Sequence, residues 1–200
     1  MAANKIIIIT APSGAGKTSI TRYLLHKYPS LAFSVSATTR NPRGTEQHEV
    51  DYYFISVEEF QQKIQHNEFI EWEMVYEGKY YGTLKSEIER IWSEGKTPLL
   101  DIDVQGAIHV QRQFPETSLS IFIQPPSIEV LQHRLESRGT ESADSVQTRI
   151  NKATYELSFS HAFNAVVVNQ YLDKACAETE ALIKDFLGEG LLARGRMEHG

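Results

Sequence analysis

Cysteine is almost absent from this 200-residue chain: Cys176 stands alone. A single thiol excludes an internal disulfide, a cysteine-based zinc site and a Cys-x-x-Cys redox motif. Long apolar runs are missing too. The N-terminal one, Ile6–Ile9, is four residues, too short for a secretory signal and far short of the ~20 residues that cross a bilayer. No membrane partner is therefore expected, and the cytoplasm is the expected location. Positive charge is not in excess: 20 Lys and Arg face 26 Asp and Glu, a formal net charge of −6. That balance disfavours a nucleic-acid surface, so an anionic ligand has to be met by a local cluster of cations. Repeats and low-complexity tracts are absent, and no heptad pattern or apolar stripe decides between a monomer and a homo-oligomer. What remains, 41% hydrophobic and 23% charged residues, suits one globular α/β domain with room for small insertions.

Four apolar segments read as buried parallel strands: Ile6–Ile9, Leu99–Ile102, Leu119–Ile123 and Ala165–Val168. Strands covered on both faces read as continuous apolar runs. Phe33–Ser36 is a weaker fifth. Helices are expected over Thr18–Lys27, over Leu84–Glu94 with Gly95 as its stop, and over Cys176–Leu187. The alternation implies a three-layer α/β sheet with right-handed crossovers. Two segments interrupt it. Between Ser36 and Gly82 the sequence is polar, bears Arg and is rich in Tyr. There Asp51–Ile55 and Phe69–Val75 read as strands, Ser56–Glu59 as a capping box and Glu77-Gly78 as a turn. The second interruption, Pro125 to about His161, reads as helical. The expected division is a core over 1–35, 83–125 and 162–190, a mixed α+β insertion over 36–82, a helical segment over 126–161 and a flexible tail over 191–200.

Directly after the first strand comes Ala11-Pro12-Ser13-Gly14-Ala15-Gly16-Lys17-Thr18. A short loop of small residues lets successive backbone N–H groups surround phosphate oxygens, and the following helix points its positive end at them. Lys17 is placed to reach the β- and γ-phosphates of a nucleotide, and the Thr18 hydroxyl to ligand Mg²⁺. Ala11 stands where G-x-x-x-x-G-K-[ST] has its first glycine. Its Cβ disfavours a positive φ, so the backbone there is expected to be ordinary.

Other residues extend this chemistry. Asp101-Ile102-Asp103 closes an apolar strand, where ligands of open parallel sheets sit. Asp101 could hold Mg²⁺ directly or through water, or the two could be solvated aspartates making turn hydrogen bonds. Arg40, Arg43, Tyr52 and Tyr81 lie in one insertion, and guanidinium forks with phenol hydroxyls suit a second phosphate. Taken singly, each reads equally as a surface arginine or a core tyrosine. Arg134 and Arg138 share one helix face, with Arg149 further on. They would repel unless an anion arrived between them, or they are solvated charges with Glu136 nearby. Glu71 sits on a strand of the insertion. Its carboxylate could accept from the adjacent N1–H and N2–H₂ of guanine, or it is an exposed strand glutamate.

The motifs Ala11–Thr18, Ser34-Val-Ser-Ala-Thr-Thr-Arg40-Asn-Pro-Arg43, Asp51-Tyr52, Phe69-Ile-Glu71-Trp, Tyr80-Tyr-Gly82, Asp101-Ile-Asp-Val-Gln-Gly106 and Arg134-Leu-x-x-Arg138-Gly together resemble guanylate kinases, from about Lys5 to Phe186. The resemblance implies a P-loop NTPase core whose GMP-binding insertion and lid close over the substrates. It implies phosphoryl transfer from Mg-ATP to GMP or dGMP. Ser36, Glu71, Thr83 and Asp103 then read guanine, and Arg40, Arg43, Tyr52 and Tyr81 hold the GMP phosphate. Lys17, Arg134, Arg138 and Arg149 neutralise charge, and Asn169 lies near the ATP adenine and ribose. Two alternatives stand beside it: an inactive guanylate-kinase-like module binding phosphorylated peptides, and a kinase for another nucleoside monophosphate. The chain departs from the family pattern after Arg43, where Gly44-Thr45-Glu46 shifts a glycine by one, and at Glu49, where glycine is common.

Overall fold

A computed structural model describes residues 4–137 and 143–188. The strands are β1 (Ile6–Thr10), β2 (Leu31–Phe33), β3 (Ala37–Thr38), β4 (Tyr53–Phe54), β5 (Phe69–Tyr76), β6 (Lys79–Leu84), β7 (Thr97–Asp101), β8 (Ser118–Gln124) and β9 (Ala165–Val168). The helices are α1 (Lys17–Lys27), α2 (Val57–Gln65), α3 (Lys85–Ser93), α4 (Val104–Gln113), α5 (Ile128–Glu136), α6 (Ala143–Leu157) and α7 (Leu172–Leu187). Among the described residues no helix is long and apolar enough to cross a membrane.

The isoleucine run of β1 is buried along its length because helices cover both faces of its sheet. Ile7 and Ile9 meet Ile20 and Leu24 of α1 and Ile183 of α7 on one side. Ile6 and Ile8 meet Ile88 of α3 and Ala107 and Val110 of α4 on the other. The sheet has five strands in the order β2-β7-β1-β8-β9, all paired in parallel. Ile9 of β1 is in register with Asp101 of β7. The carboxyl end of β7 therefore lies beside the start of the 11–18 loop.

A second sheet, β4-β3-β6-β5, stands beside the first. The helix α2 covers it, capped by the Ser56 hydroxyl, which accepts from the Glu59 N–H at 3.0 Å. Phe60 fills the interface, stacked between Phe69 (4.3 Å) and Tyr80 (5.2 Å). The helices α5 and α6 pack through a small core of their own: Leu131, Leu135, Val146, Ile150 and Ala153.

The chain crosses to the second sheet after β2 and returns through β6 into α3. Glu87, its side chain fully buried, ties these crossings together. Its carboxylate accepts from the Val35 N–H (3.1 Å) and the Tyr53 hydroxyl (2.9 Å). It also accepts from Nε and Nη2 of Arg90, both at 2.9 Å.

This knot corrects one expectation. The strand read at Phe33–Ser36 lies at Leu31–Phe33, because the ladder to β7 ends when the Ser34 N–H reaches the Leu99 carbonyl (3.0 Å). The next N–H, of Val35, goes to Glu87 instead. The helix read from Leu84 begins at Lys85, since Leu84 still pairs with Phe69. The helix read from Cys176 begins at Leu172. The strands β3 and β6 and the helix α4 are additions. Tail residues 191–200 lie outside the described residues.

Glu49, on the family's glycine position, has φ 67°. A left-handed conformation costs a side-chain-bearing residue about 1–2 kcal/mol. Glycine would lift that cost, offset by about 0.4–1 kcal/mol of unfolded-state entropy. Glu49→Gly is expected to raise the melting midpoint by roughly 1–4 °C in calorimetry. A lowered midpoint would mean that the exposed side chain, 3.7 Å from His48, outweighs the strain.

Candidate active site

Two adjoining cavities open where β1 and β7 end. The larger, about 400 Å³, is lined by Ala11–Gly14 and Gly16–Ser19, by Tyr52 and Asp101–Asp103, and by Arg149, Lys152 and Glu156 of α6. The smaller, about 210 Å³, is lined by Ser36, Tyr52, Glu71, Glu73, Val75, Tyr81, Gly82 and Asp101–Asp103. Tyr52, Asp101, Ile102 and Asp103 form a wall common to both.

The loop of the larger cavity turns on Gly14 (φ 91°) and Gly16 (φ 98°). Among the described residues only Glu49 and Asn67 are non-glycines with positive φ, so Ala11 has the ordinary backbone expected of it. Ala15 is buried, and its carbonyl accepts from the Asn169 side-chain amide at 2.7 Å. That amide stands 2.2 Å from where a Cβ on Gly16 would sit, so no larger residue fits there. Asn169 also accepts from Arg134 on its backbone carbonyl (2.9 Å). Its side chain thus supports the loop from behind.

Lys17 and Thr18 open α1 and face the cavity. The Lys17 ammonium pairs with Asp101 at 2.5 Å and reaches the Ile102 carbonyl at 3.3 Å. Across the cavity, Arg149 donates to the Ser13 hydroxyl at 3.0 Å. Lys152 and Glu156 follow Arg149 at helical spacing on the same face, their charges 3.7 Å apart. Burial pushes the Glu156 carboxyl above the usual carboxylate range. Of the expected cations, Arg134 is turned to Asn169 and Arg138 lies outside the described residues.

The smaller cavity is built by strand alternation. Glu71, Glu73 and Val75 of β5 point inward while Trp72 and Met74 point out and are exposed. Thr83 is the cross-strand partner of Glu71, and Tyr81 of Glu73. Glu71 is buried and accepts from the Thr83 hydroxyl at 2.6 Å. Its other oxygen lies 2.6 Å from where a Cβ on Gly106 would sit, so the glycine is what lets the carboxylate approach α4. Asp103 caps that helix, accepting from the Gly106 N–H at 2.8 Å. Burial, aided by the negative charge of Asp103, raises the Glu71 pKa to about 7. Ser36 lies in the same lining.

Arg40 is buried and lies over the Tyr52 ring, 4.8 Å from its centroid. Its Nε donates to the Tyr81 hydroxyl at 3.1 Å. Arg43 is exposed; its backbone N–H donates to Glu46 at 2.7 Å. Sequence reasoning missed Glu73, Val75, Lys152 and Glu156. Alternation from Glu71 and helical spacing from Arg149 were the signals that could have found them.

A metal would meet oxygen donors here: the Thr18 hydroxyl and the Asp101 carboxylate line one cavity. Among the described residues no group of three or more His, Cys, Asp or Glu side chains forms a dedicated metal cage. So sparse a donor set fits Mg²⁺, which keeps several waters and is shared with phosphate oxygens.

The family model for guanylate kinase matches residues 3–186. The chain is 49% identical to a guanylate kinase of Bacteroides thetaiotaomicron, over 92% of this chain and 91% of that one. It is 47% identical to one of Porphyromonas gingivalis, over 92% and 99% respectively. The crystal structure of guanylate kinase from Anaplasma phagocytophilum superposes with a TM-score of 0.75 at 28% identity, covering 100% of this chain and 98% of that one. Sequence and fold agree, and the chain belongs to the guanylate kinase family.

Proposed function

We propose that this protein transfers the γ-phosphoryl group of Mg-ATP to a phosphate oxygen of GMP or dGMP, releasing ADP. The observation that carries the reading is the shared wall: a phosphate-sized loop with Lys17 in one chamber, and a buried carboxylate in the next. In this reading the 36–82 insertion, which carries α2 and all of the second sheet but the end of β6, forms the acceptor domain, and α5 and α6, within 126–161, form the lid.

The 11–18 loop and Lys17 bind the donor polyphosphate, and Thr18 and Asp101 would hold Mg²⁺. When bound, the ion would supply positive charge against the donor phosphates. Lys17 leaves Asp101 for the phosphate, exchanging one anion for another. Arg40, Arg43, Tyr52 and Tyr81 hold the acceptor phosphate. Ser36, Glu71, Thr83 and Asp103 read guanine, and Asn169 keeps the loop in shape beside the donor nucleoside. The acceptor's second pKa is near 6, so at neutral pH its oxygen is already a nucleophile and needs no general base. A new P–O bond forms as the bond from the γ-phosphorus to the β–γ bridging oxygen breaks, and that oxygen leaves with the electron pair. Lys17, Arg134, Arg138 and Arg149 stabilise the charge, and lid closure keeps out water.

Coupled ADP release measured with GMP, dGMP, AMP, CMP and UMP tests this. Turnover with the guanine nucleotides far above the others is expected. Preference for AMP would overturn the guanine assignment, and silence with all five would point to a phosphopeptide-binding module.

A further inference from the structure

Glu73 lines the smaller cavity and has no part in the mechanism above. Strand alternation puts it on the same face of β5 as Glu71, a step of about 7 Å along the strand. It is half-buried, and among the described residues no donor hydrogen-bonds to its carboxylate. Burial pushes that carboxyl above the usual range; Asp103 adds to the rise and His109 opposes it. Glu73 is thus an acid held beside Glu71 and Asp103, in a chamber assigned to an acceptor that is itself an anion. A half-buried carboxylate without donors is unfavourable there unless the ligand brings hydrogen-bond donors to it.

The ladder between β5 and β6 fixes which part of the ligand it meets. Glu71 pairs across the strands with Thr83, and Glu73 with Tyr81. The Glu71 carboxylate accepts from the Thr83 hydroxyl at 2.6 Å and lies against Gly106 of α4. The Tyr81 hydroxyl accepts from Arg40 at 3.1 Å, on the other side of Glu73. The proposed function assigns guanine to the first pair and the acceptor phosphate to Arg40 and Tyr81. The sugar joins base and phosphate covalently, so it lies between them along β5, where Glu73 projects into the cavity. A carboxylate accepts hydrogen bonds and donates none. The phosphate repels such an anion, and the Watson–Crick edge of guanine is engaged by Glu71. The sugar hydroxyls remain, and two vicinal hydroxyls match two carboxylate oxygens.

We propose that Glu73 accepts hydrogen bonds from the 2′- and 3′-hydroxyls of the acceptor ribose and makes the protein favour GMP over dGMP. The inference rests on the assignment of the smaller cavity to the acceptor nucleotide. It adds a sugar-reading side chain to a site otherwise built of base and phosphate contacts. The deoxy sugar satisfies only one carboxylate oxygen and leaves the other facing the bare C2′ of the ring.

Steady-state kinetics of the parent protein, E73A and E73Q, each with GMP and with dGMP at saturating Mg-ATP, test it. In the parent, kcat/KM for GMP is expected to exceed that for dGMP about tenfold, the low end for a hydrogen bond to a charged group because the site is half exposed. E73A should bring the ratio close to one by losing activity with GMP. E73Q, which keeps one acceptor oxygen without the charge, should fall between. The ratio is taken within each variant, so a loss of folded protein cancels. A change in Glu71 caused by removing a neighbouring charge cancels too, since both substrates carry the same base. A parent ratio close to one, or a tenfold ratio that survives in E73A, overturns the proposal and leaves the proposed function standing. A gain in kcat/KM with both nucleotides in E73A, at an unchanged ratio, also overturns it, by showing that the carboxylate does no more than repel the phosphate. Absence of turnover with either nucleotide in the parent removes the proposed function, and the proposal with it.

Discussion

Lys17→Met is expected to lower kcat by about a thousandfold while KM for GMP stays within a fewfold. Methionine keeps the length and packing of the side chain and removes the charge. The effect should fall on kcat, because the charge matters most as negative charge develops between donor and acceptor. Losing one preorganised donor at such a centre costs roughly a hundred- to a thousandfold, and Lys17 supplies a full charge. The substitution also leaves Asp101 without its 2.5 Å partner. That side chain is 19% exposed, so a modest drop in melting temperature should accompany the kinetic loss. Single-turnover measurement at saturating ATP and GMP separates the two effects. A kcat within tenfold of the parent enzyme would remove Lys17 from the transition state.

Glu71→Gln should cost kcat/KM for GMP roughly a hundredfold or more, with KM for ATP little changed. An amide presents one acceptor and one donor where guanine brings two donors, so one buried N–H faces another. A main effect on ATP would sink the role given to Glu71. Its pKa of about 7 adds a pH signature. Without ligand, the folded protein keeps this proton at pH values where the unfolded chain has lost it. Its contribution to stability is therefore full below the ordinary carboxylate range and is lost as pH rises through about 7. Guanine requires the anion, so binding expels the proton. Affinity for GMP should climb as pH rises towards 7 and level off above it. The GMP phosphate also ionises, near pH 6. The Gln variant separates the two, since it should keep the lower inflection and lose the upper one.

How much of this was legible in the sequence depends on how far apart the cooperating residues lie. The 11–18 loop is contiguous, and its strand and helix flank it directly. Its geometry follows from local chemistry, down to the ordinary backbone at Ala11. The carboxylate pocket is assembled from β5, β6 and α4. Glu71 alone could equally have been an exposed strand residue, and only the resemblance decided between the two readings. Gly106 was visible in its motif, but the reason for it, an oxygen 2.6 Å from the Cβ it lacks, exists only in three dimensions. The end of β2 was misread because nothing near Val35 announces that a glutamate 52 positions later takes its N–H. Lys152 and Glu156 were hidden for a similar reason. The helix carrying Arg149 was expected, but not the side that α5 would cover.

Glu87 has a consequence for how the two halves of the site can move. The chain enters the second sheet near Val35 and leaves it through Leu84 into Lys85. Glu87, one turn into α3, holds the entry strand by its backbone and the neighbouring β4 by Tyr53. Two crossings pinned to one buried point behave as a door on a single hinge pin. Were the second sheet to move against the first, these bonds would favour a swing about one axis. In the proposed reaction, an acceptor carried on such a door would return along the same arc and meet the donor at the same angle. Transfer in line between two separately bound nucleotides would depend on that angle, and a carboxylate outside both cavities would set it.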